Sequence, residues 1–245
     1  MTSSRNIVVE KTPQEAAIKA AKIFRSIVTE AVTQRAICDL AVAGGTTPHN
    51  TYKILAEQAV VDGVPWPKVQ VFFGDEHDVS HDDVDSNYHM VQRTLLDHTP
   101  INWEHVHPMQ GDAENLELVA SEYEQVVRKL VRPGDDDIPQ FDLIMLGMGG
   151  DGHTASLFPN HPVLEESKRL VVSCHVPILG RNRITFTYPL INAARNILLL
   201  VTGDDKAEVV QRVFQASDQS LPSARVSPKH GTFHIVLDMA AARLL

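Results

Sequence analysis

The residues best suited to chemistry stand in one run, LIMLGMGGDGHTASLFP, at positions 143–159. Its centre, Gly147-Met148-Gly149-Gly150-Asp151-Gly152, satisfies the G-x-G-x-x-G spacing that lets a backbone approach a dinucleotide pyrophosphate. That use also requires an acidic residue about 20 positions on, at the end of the next strand, to hold a ribose. The next apolar stretch, Leu170-Val171-Val172-Ser173-Cys174-His175, ends without one. The other reading is an active-site turn. The glycines let the chain bend tightly, so that Asp151, His153 and Thr154 start a short helix with N–H groups facing a cleft. Such a start favours anions, including an oxyanion formed in acyl transfer, and an imidazole there accepts a proton near neutral pH. The plain alternative is a histidine that only caps or packs the turn. Its neighbours, Asp-Gly before it and Thr-Ala-Ser after it on a strand-end loop, weigh against that.

A second run, Gly44-Gly45-Thr46-Thr47-Pro48, has the same logic. Two glycines permit close backbone approach, two hydroxyls add donors and the helix that follows offers its positive end, a combination suited to a phosphate; an ordinary turn with a threonine cap is the competing account. Lys206, at the start of another helix, adds a point charge. The cluster Asp75-Glu76-His77-Asp78, with His81, Asp82, Asp83 and Asp85, imitates a metal site, but His77 and His81 bracket a loop rather than a helix turn, and no metal is expected. Asp75, at a strand end, is the member expected to face the site.

The elements that position these residues follow a strand, turn, helix grammar. Residues 7–9 form a short strand, and Thr12-Pro13-Gln14-Glu15 joins a capping box to a proline in the first turn. Ala17, Ala20, Ala21, Phe24, Ile27, Val28 and Ala31 then recur at helical spacing. Apolar strands are expected at 37–43, 69–73, 141–146 and 196–201, each ending in a glycine-containing polar turn. Helices follow the first (Tyr52, Leu55, Ala59) and the last (Val209, Val210, Val213, Phe214). A further helix is expected at 116–130, a solvated breaker loop at 133–139, and a strand pair at 170–176 and 183–188. In open α/β sheets ligands bind at the carboxyl ends of the strands, so the motifs are expected to converge on one rim.

Composition sets the class. The chain has 245 residues, 43% hydrophobic and 22% charged, enough for one substantial core, and residues 1–245 read as a single α/β domain. With 22 Lys plus Arg against 31 Asp plus Glu the net charge is -9, which argues against nucleic acid or an anionic membrane as partner. Cys38 and Cys174, each in an apolar stretch, are expected to be buried thiols rather than a disulfide or zinc set. The start, Met1-Thr2-Ser3-Ser4-Arg5-Asn6, has no hydrophobic signal core, and the apolar run at 197–201 is too short for a bilayer. The cytoplasm is the expected compartment.

Four segments, LAVAGGTTP, FFGDEHDVSHDDVDSNY, LIMLGMGGDGHTASLFP and RITFTYPLINAARNILLLVTGDDKAEVV, in this order and at these separations, resemble the 6-phosphogluconolactonases. The closing LPSARVSPKHGTFHIVLDMAA resembles that family's last segment, so the likeness covers nearly the whole chain. It implies an α/β fold with a Rossmann-like parallel sheet flanked by helices and a small added α/β subregion, shared with glucosamine-6-phosphate deaminases and ribose-5-phosphate isomerases. It implies His153 as the acid–base residue with Asp151 orienting it. Gly44, Gly45, Thr46, Thr47, Gly149, Lys206 and Arg183 are implied around the phosphorylated substrate, and Asn87 beside the sugar or its loop. No cofactor is implied. The partner is a small anionic phosphosugar lactone, and the protein is expected to be a monomer or weak homodimer.

Two rivals stay open: a phosphosugar deaminase or isomerase of the same fold, and a non-catalytic phosphosugar sensor. Against the first, the deaminase branch continues its Gly-Asp-Gly-His turn with a Phe-Asn-Glu-Pro type segment, where this chain has residues 154–159. The family usually reads Asp-Glu-Arg where this chain has Asp75-Glu76-His77, and the resemblance implies a part for that third position, His77 here, in catalysis or substrate binding. A histidine donates a hydrogen bond but offers no permanent charge and no bidentate fork, so rate and pH profile are expected to differ.

Overall fold

The structure, a computed structural model, describes residues 4–58, 63–134 and 136–245; Met1, Thr2, Ser3, Ala59 and Asp135 of the sequence reading lie outside the described residues. Strand β1 (Ser4–Glu10) leads into helix α1 (Pro13–Arg35). The capping box forms as expected: the Thr12 side chain accepts from the Glu15 N–H at 3.1 Å, and the seven periodic apolar residues are all buried. Next come β2 (Cys38–Val42), α2 (Thr46–Gln58), β3 (Val69–Phe73) and the short β4 (Asp75–His77). The chain continues through α3 (Asn87–Thr94), β5 (Val106–His107), α4 (Leu116–Leu130) and β6 (Leu143–Leu146). It ends with β7 (Val171–Val176), β8 (Arg181–Phe186), α5 (Tyr188–Ile191), β9 (Asn196–Val201), α6 (Ala207–Phe214) and β10 (Thr232–Asp238).

Seven strands form one parallel sheet in the order β1-β10-β9-β6-β2-β3-β5. Its strands read as unbroken apolar runs because both faces are covered. On β9, Leu198 and Leu200 enter a core with Phe24 of α1 and Trp66, while Ile197, Leu199 and Val201 enter the opposite core with Phe141 and Phe186. Leu40 and Val42 of β2 divide from Ala41 in the same way. Both cysteines are buried and free.

The added subregion is a three-stranded antiparallel sheet, β4-β8-β7, with α4 packed on β7 and β8. Gly74 joins the two sheets: its N–H donates to Val42 of the large sheet and its carbonyl accepts from Phe186 of the small one. Among the described residues no helix is long and apolar enough to cross a membrane.

Candidate active site

The carboxyl ends of β9, β6, β2 and β3 are neighbours, so the four glycine-containing turns meet on one rim, as their strand pattern predicts. Between them lies a cavity of about 390 Å³. Gly44, Gly45, Thr46, Thr47, Asp75, His77, Asn87, Gly149, His153, Arg183 and Lys206 all line it. Asp151 does not line it, and instead contacts His153.

The turn after β6 differs from the sequence expectation in one respect: no helix starts there. Gly152 and Ala155 hold left-handed backbone, φ 83° and 46°, which a helix does not admit. Three of its N–H groups bond inside the turn, Gly149 to the His153 carbonyl, Gly152 to the Gly149 carbonyl and Thr154 to the Leu157 carbonyl. Thr154 is buried, donating its hydroxyl to the Gly147 carbonyl, and does not face the cleft. The turn therefore supplies a rigid mount for one side chain rather than a helix-end anion site.

That side chain is His153. Asp151 Oδ1 accepts from the His153 backbone N–H at 3.1 Å and lies 2.6 Å from ring Nδ1. The other face of the imidazole stacks on Phe158, centroids 4.3 Å apart and planes 25° apart. Gly149 closes the third side, where a Cβ would stand 2.2 Å from Nδ1 and Cε1 of the ring. Three contacts thus fix one rotamer on a ring that stays one-third exposed.

The second turn is built around a buried tyrosine. The Tyr52 hydroxyl, its pKa driven well up by burial, accepts from the Ala43 N–H and donates to the Ala43 carbonyl, fixing the chain just before Gly44. A Cβ on Gly44 would fall 1.7 Å from Asn87 Oδ1, so only glycine fits. Gly45 holds φ 94°, and Thr46 and Thr47 then open the thirteen-residue α2. Across the cleft Asn87 Nδ2 donates to Asp75 Oδ1 at 3.2 Å, and Ser156 Oγ donates to Asp75 Oδ2 at 2.7 Å. Glu76, fully buried, accepts from the N–H groups of Asn87 and Tyr88 at the start of α3. Burial raises its pKa, and those backbone donors oppose the shift.

The small sheet brings two more residues. His77 and Arg183 are directly paired across β4 and β8, which puts both side chains on one face, and both line the cavity. Lys206 reaches in from the turn after β9, with its ammonium 3.1 Å from Asp205 and next to Gly150. The acidic and histidine residues after β3 go separate ways, since Glu76 caps α3 and His81 bonds the Met109 carbonyl. Among the described residues no group of three or more His, Cys, Asp or Glu could hold a metal ion.

Sequence reasoning did not single out Ser156, Phe158 or Leu179. Ser156 and Phe158 lie in the same run as His153, where a small hydroxyl and an aromatic ring beside a lone histidine are the readable sign. Leu179 sits in the β7–β8 connection, whose approach to the cavity is set by tertiary packing alone.

The sequence matches the family of glucosamine-6-phosphate isomerases/6-phosphogluconolactonase over residues 11–235. This chain belongs to that family. It is 39% identical over 220 residues to a 6-phosphogluconolactonase of Synechocystis sp., covering 89% of each chain. A 6-phosphogluconolactonase of Nostoc sp. is 35% identical, with 95% of this chain and 96% of that one covered. The solved 6-phosphogluconolactonase of Trypanosoma brucei superposes with a TM-score of 0.88 at 28% identity, covering 99% of both chains. The family's α/β fold is the one described above, and the His77 position lies within its cleft.

Proposed function

We propose that this protein hydrolyses 6-phospho-D-glucono-1,5-lactone to 6-phospho-D-gluconate, the lactone-opening step of the oxidative pentose phosphate pathway. The observation that carries the reading is the Asp151–His153 pair, joined at 2.6 Å, at a cavity that also holds Lys206, Arg183 and the 44–47 turn. A carboxylate only accepts, so Nδ1 carries the proton and the Nε2 lone pair is left for water. Nε2 takes a proton as the water oxygen adds to C1 of the lactone. The tetrahedral carbon then expels the ring oxygen, the C1–O bond breaks, and Nε2 returns the proton to that oxygen, which departs as the C5 hydroxyl. Asp151 holds the ring and offsets the imidazolium charge between the two transfers.

Residues 44–47 face the phosphoryl group with the N-terminal end of α2, an arrangement that favours an anion, while Lys206 and Arg183 add full charges. Asp75 and Asn87 offer an acceptor and a donor to sugar hydroxyls. δ-Lactones are activated esters, and a general base typically contributes about 10²- to 10⁴-fold to such a reaction, with oxyanion stabilisation adding to it. The test is hydrolysis of freshly made lactone, corrected for spontaneous opening. His153→Ala is expected to lower kcat by about that factor while 6-phosphogluconate still binds. Undiminished turnover would remove His153 from the role, and ammonia released from glucosamine 6-phosphate would favour the deaminase reading instead.

A further inference from the structure

Arg183 is only 8% exposed, yet the one hydrogen bond of its side chain within the described residues is from Nη1 to the Asn182 carbonyl at 2.9 Å. Most of its N–H donors therefore have no protein partner while the side chain lines the cavity. Something has to keep this guanidinium at the cleft, and the register of the small sheet shows what does. The β4–β8 ladder ends at the His77–Arg183 pair. The next pair would set Asp78 against Asn182, but the backbone turns away there, with the Val79 N–H donating back to the His77 carbonyl. The Asp78 carboxylate replaces the missing ladder bond, Oδ2 accepting from the Asn182 N–H at 2.9 Å.

Its other oxygen, Oδ1, is buried and has no hydrogen bond, and lies 3.6 Å from Arg183 Nη1 and 3.7 Å from Arg181 Nη1. These are charge contacts beyond hydrogen-bond length, so they attract the guanidinium without consuming its donors. Behind the turn Gly111 packs so closely that a Cβ there would stand 2.1 Å from the His77 carbonyl oxygen, which braces Asp78 from the far side.

We propose that Asp78 is a positioning residue for substrate binding, holding Arg183 at the cleft with its donors free for the ligand's anionic group. The inference rests on the lactonase reading only in assuming a phosphorylated ligand. It separates cleanly from a simple counter-charge, because the two predict opposite signs. Removing a negative charge beside an anion site strengthens anion binding, whereas releasing Arg183 weakens it.

The experiment is a double-mutant cycle of Asp78→Asn and Arg183→Gln, with KM and kcat for the lactone, Kd for 6-phosphogluconate and Tm measured on each full-length protein. Asparagine keeps an acceptor for the Asn182 N–H and removes only the charge. Asp78→Asn is expected to raise KM and Kd about fivefold, with kcat within about twofold and no added effect in the Arg183→Gln background. Asp78→Ser, with a shorter acceptor, gives the same comparison if Asp78→Asn does not fold. Tighter binding, unchanged binding, or an equal loss in the Arg183→Gln background would each overturn the proposal. A wild-type protein that binds 6-phosphogluconate through this cycle yet opens no lactone would sink the lactonase reading and leave the role of Asp78 standing.

Discussion

The contact that most directly tests how the imidazole is held is the one between Gly149 and His153. In Gly149→Ala the new methyl would stand 2.2 Å from Nδ1 and Cε1 and 2.7 Å from Asp151 Oδ1, where ordinary contact begins at 3.4 Å. The ring must retreat by about 1.2 Å, the difference between 3.4 and 2.2 Å, and a misplacement of about 1 Å costs on the order of 10²-fold in rate. Gly149 does not occupy left-handed backbone, so alanine introduces no φ strain, and the groups it displaces, His153 and Asp151, are partly exposed side chains rather than backbone. The variant is therefore expected to fold with a Tm close to that of the native chain, to bind 6-phosphogluconate with little change, and to lose kcat by about 10²-fold. Initial rates with freshly prepared lactone, spontaneous opening subtracted, give kcat, and calorimetric titration with the product gives Kd. A variant that turns over at the native rate would show that the position of the ring is not what limits catalysis.

His77→Arg places a second guanidinium opposite Arg183, and titration should show product affinity rising about threefold, more at low salt than at high, with a small fall in Tm from the like-charge pair. Asp39, buried and close to Asp142, has its pKa raised from 3.8 to about 6, first by burial and then by that neighbour's charge. The folded state holds this proton more tightly than the unfolded one, so the associated stability is full below pH 3.8 and lost as pH rises through about 6. Asp39→Asn, which can still accept from Gln70, is expected to stabilise the protein by up to about 3 kcal/mol at pH 7 to 8, an advantage that vanishes below about pH 4 in denaturant titrations.

Much of the site was legible because its residues sit at strand ends. Local apolar runs marked β2, β3, β6 and β9, and a parallel sheet places such ends on one rim whatever the order of the strands. The order itself was not legible, since the pairing of β1 with β10 has no local signal. Helix α3 went unseen for a related reason. Its local cap, Ser86 accepting from the His89 N–H, is readable, but Glu76 binds its first N–H groups from eleven and twelve residues upstream. The helix expected after Gly152 failed because a glycine-rich run permits several tight paths, and the one taken is decided by contacts such as those of Gly152 with Leu221 and Val209. The His77–Arg183–Asp78 side of the site depends on the register of the small antiparallel sheet, which the strand pair alone did not reveal.

Among the described residues strand β1 has a single sheet neighbour, and the Ser4 and Thr232 hydroxyls that meet across it are 228 residues apart in sequence. On a ribosome working at about 5 to 20 residues per second, the N-terminal strand waits on the order of 10 to 45 s for its partner to be made. Until then Ile7, Val8 and Val9 lack the strand they pair with in the finished sheet, and apolar residues in that position are a target for chaperones or other nascent chains. The yield of native protein should therefore respond to translation speed and to chaperone supply more strongly than the stability of the finished fold would suggest.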